Sequence, residues 1–201
     1  MSSKFSRRQL FKLRPADLGS LVRQVRQRPR EDTSEEDELN PASFIRPPGA
    51  LKGEDEFLSA CERCNACVEA CPYEDVIQTF GPSHGNREGS PYLLPDQAPC
   101  RWCIDTPCAA ACPTEALQSP SPNDAGDIVL TPIAKAALNL DTCLNNQGTI
   151  CDTCSVMCPP QVKAIKMIDR KPLLDVDLCT GCGMCAYYCE SEPGSISIVP
   201  L

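Results

Sequence analysis

Sixteen cysteines fall into four groups of four: Cys61-Cys64-Cys67-Cys71, Cys100-Cys103-Cys108-Cys112, Cys143-Cys151-Cys154-Cys158 and Cys179-Cys182-Cys185-Cys189. Each group closes on a cysteine, three residues and a cysteine, and in the first three groups that last cysteine precedes a proline, Pro72, Pro113 and Pro159. A cubane of iron and sulfide needs four thiolates at the corners of a tetrahedron. Two-residue gaps let a tight loop wrap three of those corners. The fourth comes from elsewhere in the chain, as the last cysteine of each run does in two-cluster ferredoxins. Proline after the final ligand costs nothing where a first helical turn leaves the N–H unpaired. The spacing therefore predicts four [4Fe–4S] clusters with all sixteen cysteines as iron ligands, and a protein that moves electrons.

Other uses of cysteine fit less well. Disulfides need an oxidising compartment, and no cleavable export signal is legible in the chain. Structural zinc favours two well-separated Cys-x-x-Cys pairs rather than three close cysteines and a Cys-Pro. Covalent haem needs Cys-x-x-Cys-His, and His84, the one histidine of the sequence, adjoins no cysteine. His84 sits among Gly and Ser and is expected to be a solvated loop residue.

Aromatic residues make up only 5% of the 201 residues, with one Trp and five Phe. Such a chain buries a modest core, and the clusters are expected to supply much of its cohesion. The formal net charge is −8, and each oxidised cubane with its thiolates adds about −2 more. That balance opposes binding to nucleic acid and favours a redox partner protein or multi-subunit oxidoreductase with a basic docking patch. No run is long enough to span a membrane, although peripheral contact is compatible with the N-terminus. There is no dinucleotide fingerprint and no nucleophile–base pair, so the chain reads as an electron carrier without a catalytic site of its own.

The organisation has two parts. Residues 1–43 form a basic, then acidic segment, with nine Lys or Arg against Asp17 in the first thirty residues and then Glu31, Asp32, Glu35, Glu36, Asp37 and Glu38. It is read as a partly disordered tail or a docking helix. Ser6-Arg7-Arg8-Gln9-Leu10-Phe11-Lys12 resembles a twin-arginine export motif, but Arg14, Pro15 and Asp17 stand where an apolar stretch should follow. The expected location is cytoplasmic. Residues 44–201 form the four-cluster region, an irregular repeat in which each cysteine group is followed by a short helical turn and a β-like run. The runs are residues 76–79, 128–131, 164–168 and 195–199, and second runs at 92–94, 137–140 and 173–176 suggest a hairpin between successive groups. The predicted fold class is α+β, two bacterial ferredoxin-like dicluster units.

Residues 44 to 201 resemble the NapG, NapF and MauM ferredoxin-type proteins, accessory proteins of nitrate-reductase and methylamine systems. The carrying residues are Phe44-Ile45-Arg46-Pro47-Pro48-Gly49-Ala50 before the first group, Cys71-Pro72-Tyr73, Ser90-Pro91-Tyr92, Pro99-Cys100, Asp105, Pro107-Cys108, Cys112-Pro113, Cys143-Leu144-Asn145, Gln147-Gly148 and Cys179-Thr180-Gly181-Cys182-Gly183. The four-residue gap in the second group and the seven-residue gap in the third match as well. The resemblance implies an electron-transfer protein of a respiratory or dehydrogenase system. Its alternative is a NapF-like accessory or maturation factor for a cytoplasmic metalloenzyme.

Two pairings of the groups fit the spacing. In the sequential one, groups one and two share a unit, as do three and four. The nested one is favoured by a resemblance of the second group to iron–sulfur subunits of the dimethyl-sulfoxide-reductase type. It would join Cys61, Cys64 and Cys67 with Cys189; Cys179, Cys182 and Cys185 with Cys71; Cys100, Cys103 and Cys108 with Cys158; and Cys143, Cys151 and Cys154 with Cys112. Cys189 precedes Glu190 instead of proline, so its helix is expected to be shorter. The fourth group's cluster is expected to lie near solvent, its potential lowered by Asp177, Glu190 and Glu192. Trp102 is a candidate shield between two ligands. Gly181 and Gly183 are candidates for close backbone approach.

Overall fold

The computed structural model describes residues 44–121 and 131–201. The basic and acidic N-terminal segment lies outside the described residues.

The first helix of the described residues, α1 (Glu54–Ala60), opens with Glu54, Asp55 and Glu56, acids that complement the positive end of a helix, and buries Phe57 and Leu58. It stops at Cys61, which is extended and donates its N–H to the Phe57 carbonyl at 2.9 Å. Four very short helices follow: α2 (Ala66–Glu69), α3 (Pro107–Ala110), α4 (Thr153–Met157) and α5 (Met184–Tyr187). None could persist alone, because helix nucleation is too costly to be recovered in one turn. Each carries the third cysteine of its group at its second position, and the fourth cysteine follows four residues later, just past the helix end. The helices are held in pairs, α2 against α3 and α4 against α5.

Three antiparallel pairs of strands complete the fold. β1 (Gln78–Thr79) pairs with β2 (Pro91–Tyr92), and the Tyr92 hydroxyl donates to Gln78 Oε1 at 2.9 Å. β4 (Ile165–Ile168) and β5 (Lys171–Leu174) form a tight hairpin through Asp169 and Arg170. Both turn residues have positive φ, 48° and 63°, the pair of conformations that a right-twisted two-residue hairpin requires. The expected hairpins before the second and fourth groups are thus present. For the one expected before the third group, the described strand takes another partner. β3 (Ala134–Leu138) pairs along its whole length with the C-terminal strand β6 (Ile196–Pro200), while residues 128–130 of the expected partner lie outside the described residues. The reason is packing: pairing with β6 places buried Ala136 against Ile198 and closes a core of Ala136, Ala164, Ile165 and Ile196.

The N-terminal half closes in the same way. Ile45 bridges Leu93 and Ala50 bridges Leu117, around a core that includes Phe57, Val76, Ile77, Leu93 and Leu117. Beside it Phe44, Phe80 and Tyr92 pack their rings, with centroids 4.9 Å apart for Phe44–Phe80 and 4.3 Å for Phe80–Tyr92. Arg46 lies over the Phe57 ring at 4.5 Å and grips Glu54 through both carboxylate oxygens, at 2.6 and 3.0 Å. His84 is not the solvated residue expected. Its ring is 5.0 Å from that of Phe80, and its Nε2 is buried with no hydrogen-bond partner among the described residues.

Candidate iron–sulfur sites

The cysteines gather in four cavities of four. The first is lined by Cys61, Cys64, Cys67 and Cys112. The second is lined by Cys100, Cys103, Cys108 and Cys71, the third by Cys143, Cys151, Cys154 and Cys189, and the fourth by Cys179, Cys182, Cys185 and Cys158. Their empty volumes are alike, about 360, 430, 350 and 300 Å³, as expected of one cradle built four times. Each takes three thiols from one group and the last thiol of the neighbouring group. The short helices explain the exchange: two cysteines four residues apart sit one turn apart along the axis, so Cys67 faces the first cavity while Cys71 reaches the second. The pairs Cys108/Cys112, Cys154/Cys158 and Cys185/Cys189 do the same.

This grouping is sequential, and the nested expectation is corrected. Cys112, not Cys189, completes the first cavity; Cys71 joins the second, not the triad of group four; Cys158 joins the fourth and Cys189 the third. The physical cause is local closure. The β1–β2 hairpin folds group two back onto group one, and β3–β6 with β4–β5 folds group four onto group three. The expectation for the last group also changes. Helix α5 is as long as α2 and α3, four residues each. Cys179, Cys182 and Cys185 are buried, and Glu190 stands at the third cavity beside Cys189.

The donors suit a multi-iron group. Among the described residues no three His, Cys, Asp or Glu side chains converge on a single-ion position. The thiols of each cavity are instead spread round its walls. Backbone amides already point at sulfur: Leu117 N–H to Cys112 Sγ at 3.4 Å, Ala164 N–H to Cys158 Sγ at 3.2 Å, Ala136 N–H to Cys179 Sγ at 3.3 Å, and Ser195 N–H to Cys189 Sγ at 3.5 Å. One buried hydroxyl, Thr106 at the second cavity, has no hydrogen-bond partner among the described residues. An orphaned buried hydroxyl costs about 1–3 kcal/mol, and a cluster sulfide held in the cavity would be an acceptor for it.

Burial pushes the thiols of Cys100 and Cys185 up to about 12, and those of Cys67, Cys108 and Cys154 up to about 11. They are held as thiols until a cation compensates the charge. Cys112 and Cys189 move the other way. Burial opposes their ionisation, but donors from Leu117 and Thr114 in one case and Ser191 and Ser195 in the other outweigh it. These hydroxyl and amide donors were not singled out from the sequence, although Thr114 and Ser191 each stand two residues beyond a last-of-group cysteine. Trp102 is 2% exposed, lines the second cavity and packs on Cys182 and Met184. Gly181 and Gly183 are crowded by other parts of the chain rather than shown facing sulfur: a Cβ on Gly181 would lie 2.4 Å from Ala134, and one on Gly183 2.3 Å from Pro95.

Paired thiol cavities between one-turn helices, with small antiparallel strands around them, define the class: a ferredoxin-type iron–sulfur protein. Known proteins agree. The chain is 40% identical over 173 residues to the methylamine utilization ferredoxin-type protein MauM of Methylophilus methylotrophus, covering 79% of this chain and 72% of the relative. It is 38% identical over 174 residues to the ferredoxin-type protein NapG of Escherichia coli, covering 78% and 71%, and 35% identical over 148 residues to the ferredoxin-type protein NapF of the same organism. No protein-family model matches the chain. The chain belongs to the NapG/NapF/MauM family of ferredoxin-type proteins, metal-binding iron–sulfur proteins of electron transport. No helix among the described residues is long and apolar enough to cross a membrane.

Proposed function

We propose that this protein is a polyferredoxin carrying four [4Fe–4S] clusters that passes electrons to or from a partner oxidoreductase and has no catalytic site of its own. The observation that carries this reading is the sorting of sixteen cysteines into four cavities of four. The first cluster would be held by Cys61, Cys64, Cys67 and Cys112; the second by Cys71, Cys100, Cys103 and Cys108; the third by Cys143, Cys151, Cys154 and Cys189; the fourth by Cys158, Cys179, Cys182 and Cys185. Bound there, the clusters supply reversible one-electron storage. The chain's residues set the conditions: four cysteines per cavity leave no open iron position for a substrate, the amides at Cys112, Cys158, Cys179 and Cys189 disperse thiolate charge, and Trp102 and Met184 exclude water.

The N-terminal arginines followed by Arg14, Pro15 and Asp17 favour a cytoplasmic setting. An export-dependent reporter fused after residue 43 should stay inside; Arg7- and Arg8-dependent appearance outside would reverse that assignment. The maturation-factor alternative draws no support from the relatives' names. The central experiment is anaerobic reconstitution with iron and sulfide. It should bind about sixteen irons in cubane form, reducible and reoxidisable within a complex with the partner oxidoreductase. Uptake of zinc with little iron would overturn the reading.

A further inference from the structure

Among the described residues, cysteine loops of the two halves touch at Cys100 and Cys182. Cys100 of the second cavity donates its N–H to the carbonyl of Cys182, a wall of the fourth, at 2.9 Å. Around this bond the Arg101 guanidinium lies 3.3 Å from Met184 Sδ, and Gln161 Nε2 donates to the Trp102 carbonyl at 2.7 Å. Trp102, Cys182 and Met184 form a buried cluster of their own, with Cys100, Met157 and Val162 packed on it. Gly183 takes φ +86° and admits the Pro95 backbone where any Cβ would lie 2.4 Å from its carbonyl oxygen. The contact is thus hydrogen-bonded and closely packed.

Within each half the link between cavities is a single helical turn, Cys67 to Cys71 and Cys108 to Cys112 in one, Cys154 to Cys158 and Cys185 to Cys189 in the other. The fourth cavity is the most enclosed, with Cys179, Cys182 and Cys185 buried, and the first holds the one exposed thiol among the described residues, Cys64; the second and third each have one buried thiol, Cys108 and Cys143. We infer that electrons cross between the halves at the Cys100–Cys182 seam, so that the four cavities work in the order first, second, fourth, third, with the first and third as the ends that face redox partners. This rests on the four-cluster reading and goes beyond it, because the working order departs from the order in the chain. At each step one electron moves; the centre it leaves is oxidised and the next is reduced, with no bond made or broken and no proton required. The redox partners at the two ends supply and remove the electron.

Two full-length double variants test the order. Cys64→Ala with Cys151→Ala leaves the second and fourth cavities complete; Cys103→Ala with Cys185→Ala leaves the first and third. After anaerobic reconstitution and deazaflavin photoreduction, electron paramagnetic resonance of the former should show spin–spin splitting between two clusters. The latter should show complete loss of that splitting and a sum of two isolated signals. Splitting only in the latter, or in neither, would overturn the order. A double variant that takes up no iron leaves the decision to a photocross-link that removes no ligand. Arg101→benzoylphenylalanine in the reconstituted protein should attach to residues 183–188 on irradiation; attachment to residues 61–67 or 143–154 instead would overturn the seam. A wild-type iron content well below sixteen would count against the four-cluster reading, while the cross-link would still report on the seam.

Discussion

At the scale of single residues, two contacts outside the cysteines carry measurable weight. Glu54 receives Arg46 at 2.6 and 3.0 Å and Arg87 at 2.7 Å. Burial opposes its ionisation, but the two guanidinium partners prevail and hold its carboxyl below the usual range. A carboxylate depressed in this way contributes fully above the ordinary carboxylate range and loses its contribution as pH falls through its folded value, so at pH 7 the contribution is complete. Glu54→Gln should lower stability by about 2 kcal/mol, the scale of hydrogen bonds to charged groups, read as an earlier midpoint in denaturant-induced loss of cluster absorbance at pH 7. Ser191 is the second. Its hydroxyl lies 2.9 Å from Cys189 Sγ and 2.6 Å from Ser195 Oγ. A hydrogen bond to thiolate sulfur favours the reduced, more negative cluster. Ser191→Ala should therefore lower one of the four midpoint potentials by roughly 40 mV, the equivalent of about 1 kcal/mol for one electron, in a titration followed by electron paramagnetic resonance.

At the scale of elements, the cysteine-bearing helices are too short to exist without their surroundings, and the strands serve mainly to hold the loops closed. β6 is the clearest instance. Its Ile196 is buried in the second core, and Ile198 packs on both cores and lines the fourth cavity. Fully burying an isoleucine stabilises by about 1.5–3 kcal/mol, so buried Ile196 with half-buried Ile198 is a sizeable share of the margin of a half-molecule this size. Removing residues 196–201 should abolish the third and fourth sites, with iron content falling to about half while the first half keeps its clusters. Retention of the full iron complement would show that β3 needs no partner.

The whole molecule is held together by small cores and by sixteen thiols facing four cavities. Several of those thiols are pushed to about 11 or 12 by burial, and so are favourable as ligands only when iron is present. Binding free energy then becomes folding free energy. Anaerobic removal of iron by a strong chelator should unfold the chain, seen as collapse of far-ultraviolet circular dichroism together with loss of visible absorbance. A native-like spectrum after complete chelation would contradict this. The acidic charge, −8 before clusters, also makes docking to a basic partner sensitive to salt.

Much of this was legible in the linear sequence because iron ligation is a short-range constraint. Spacing of two, three or four residues sets how far a loop can wrap a cluster, so the four cysteine groups and the family resemblance were readable from local motifs such as Cys179-Thr180-Gly181-Cys182-Gly183. The hairpin at residues 165–174 was readable for the same reason. Pairing of the groups was not, because spacing says that the last thiol goes elsewhere but not to which neighbour. That choice belongs to long-range closure: Ala50 on Leu117 in one half, and Ala134–Leu138 on Ile196–Pro200 in the other. The buried position of group four and the Cys100–Cys182 seam are likewise products of packing between distant segments, which leave no periodicity along the chain.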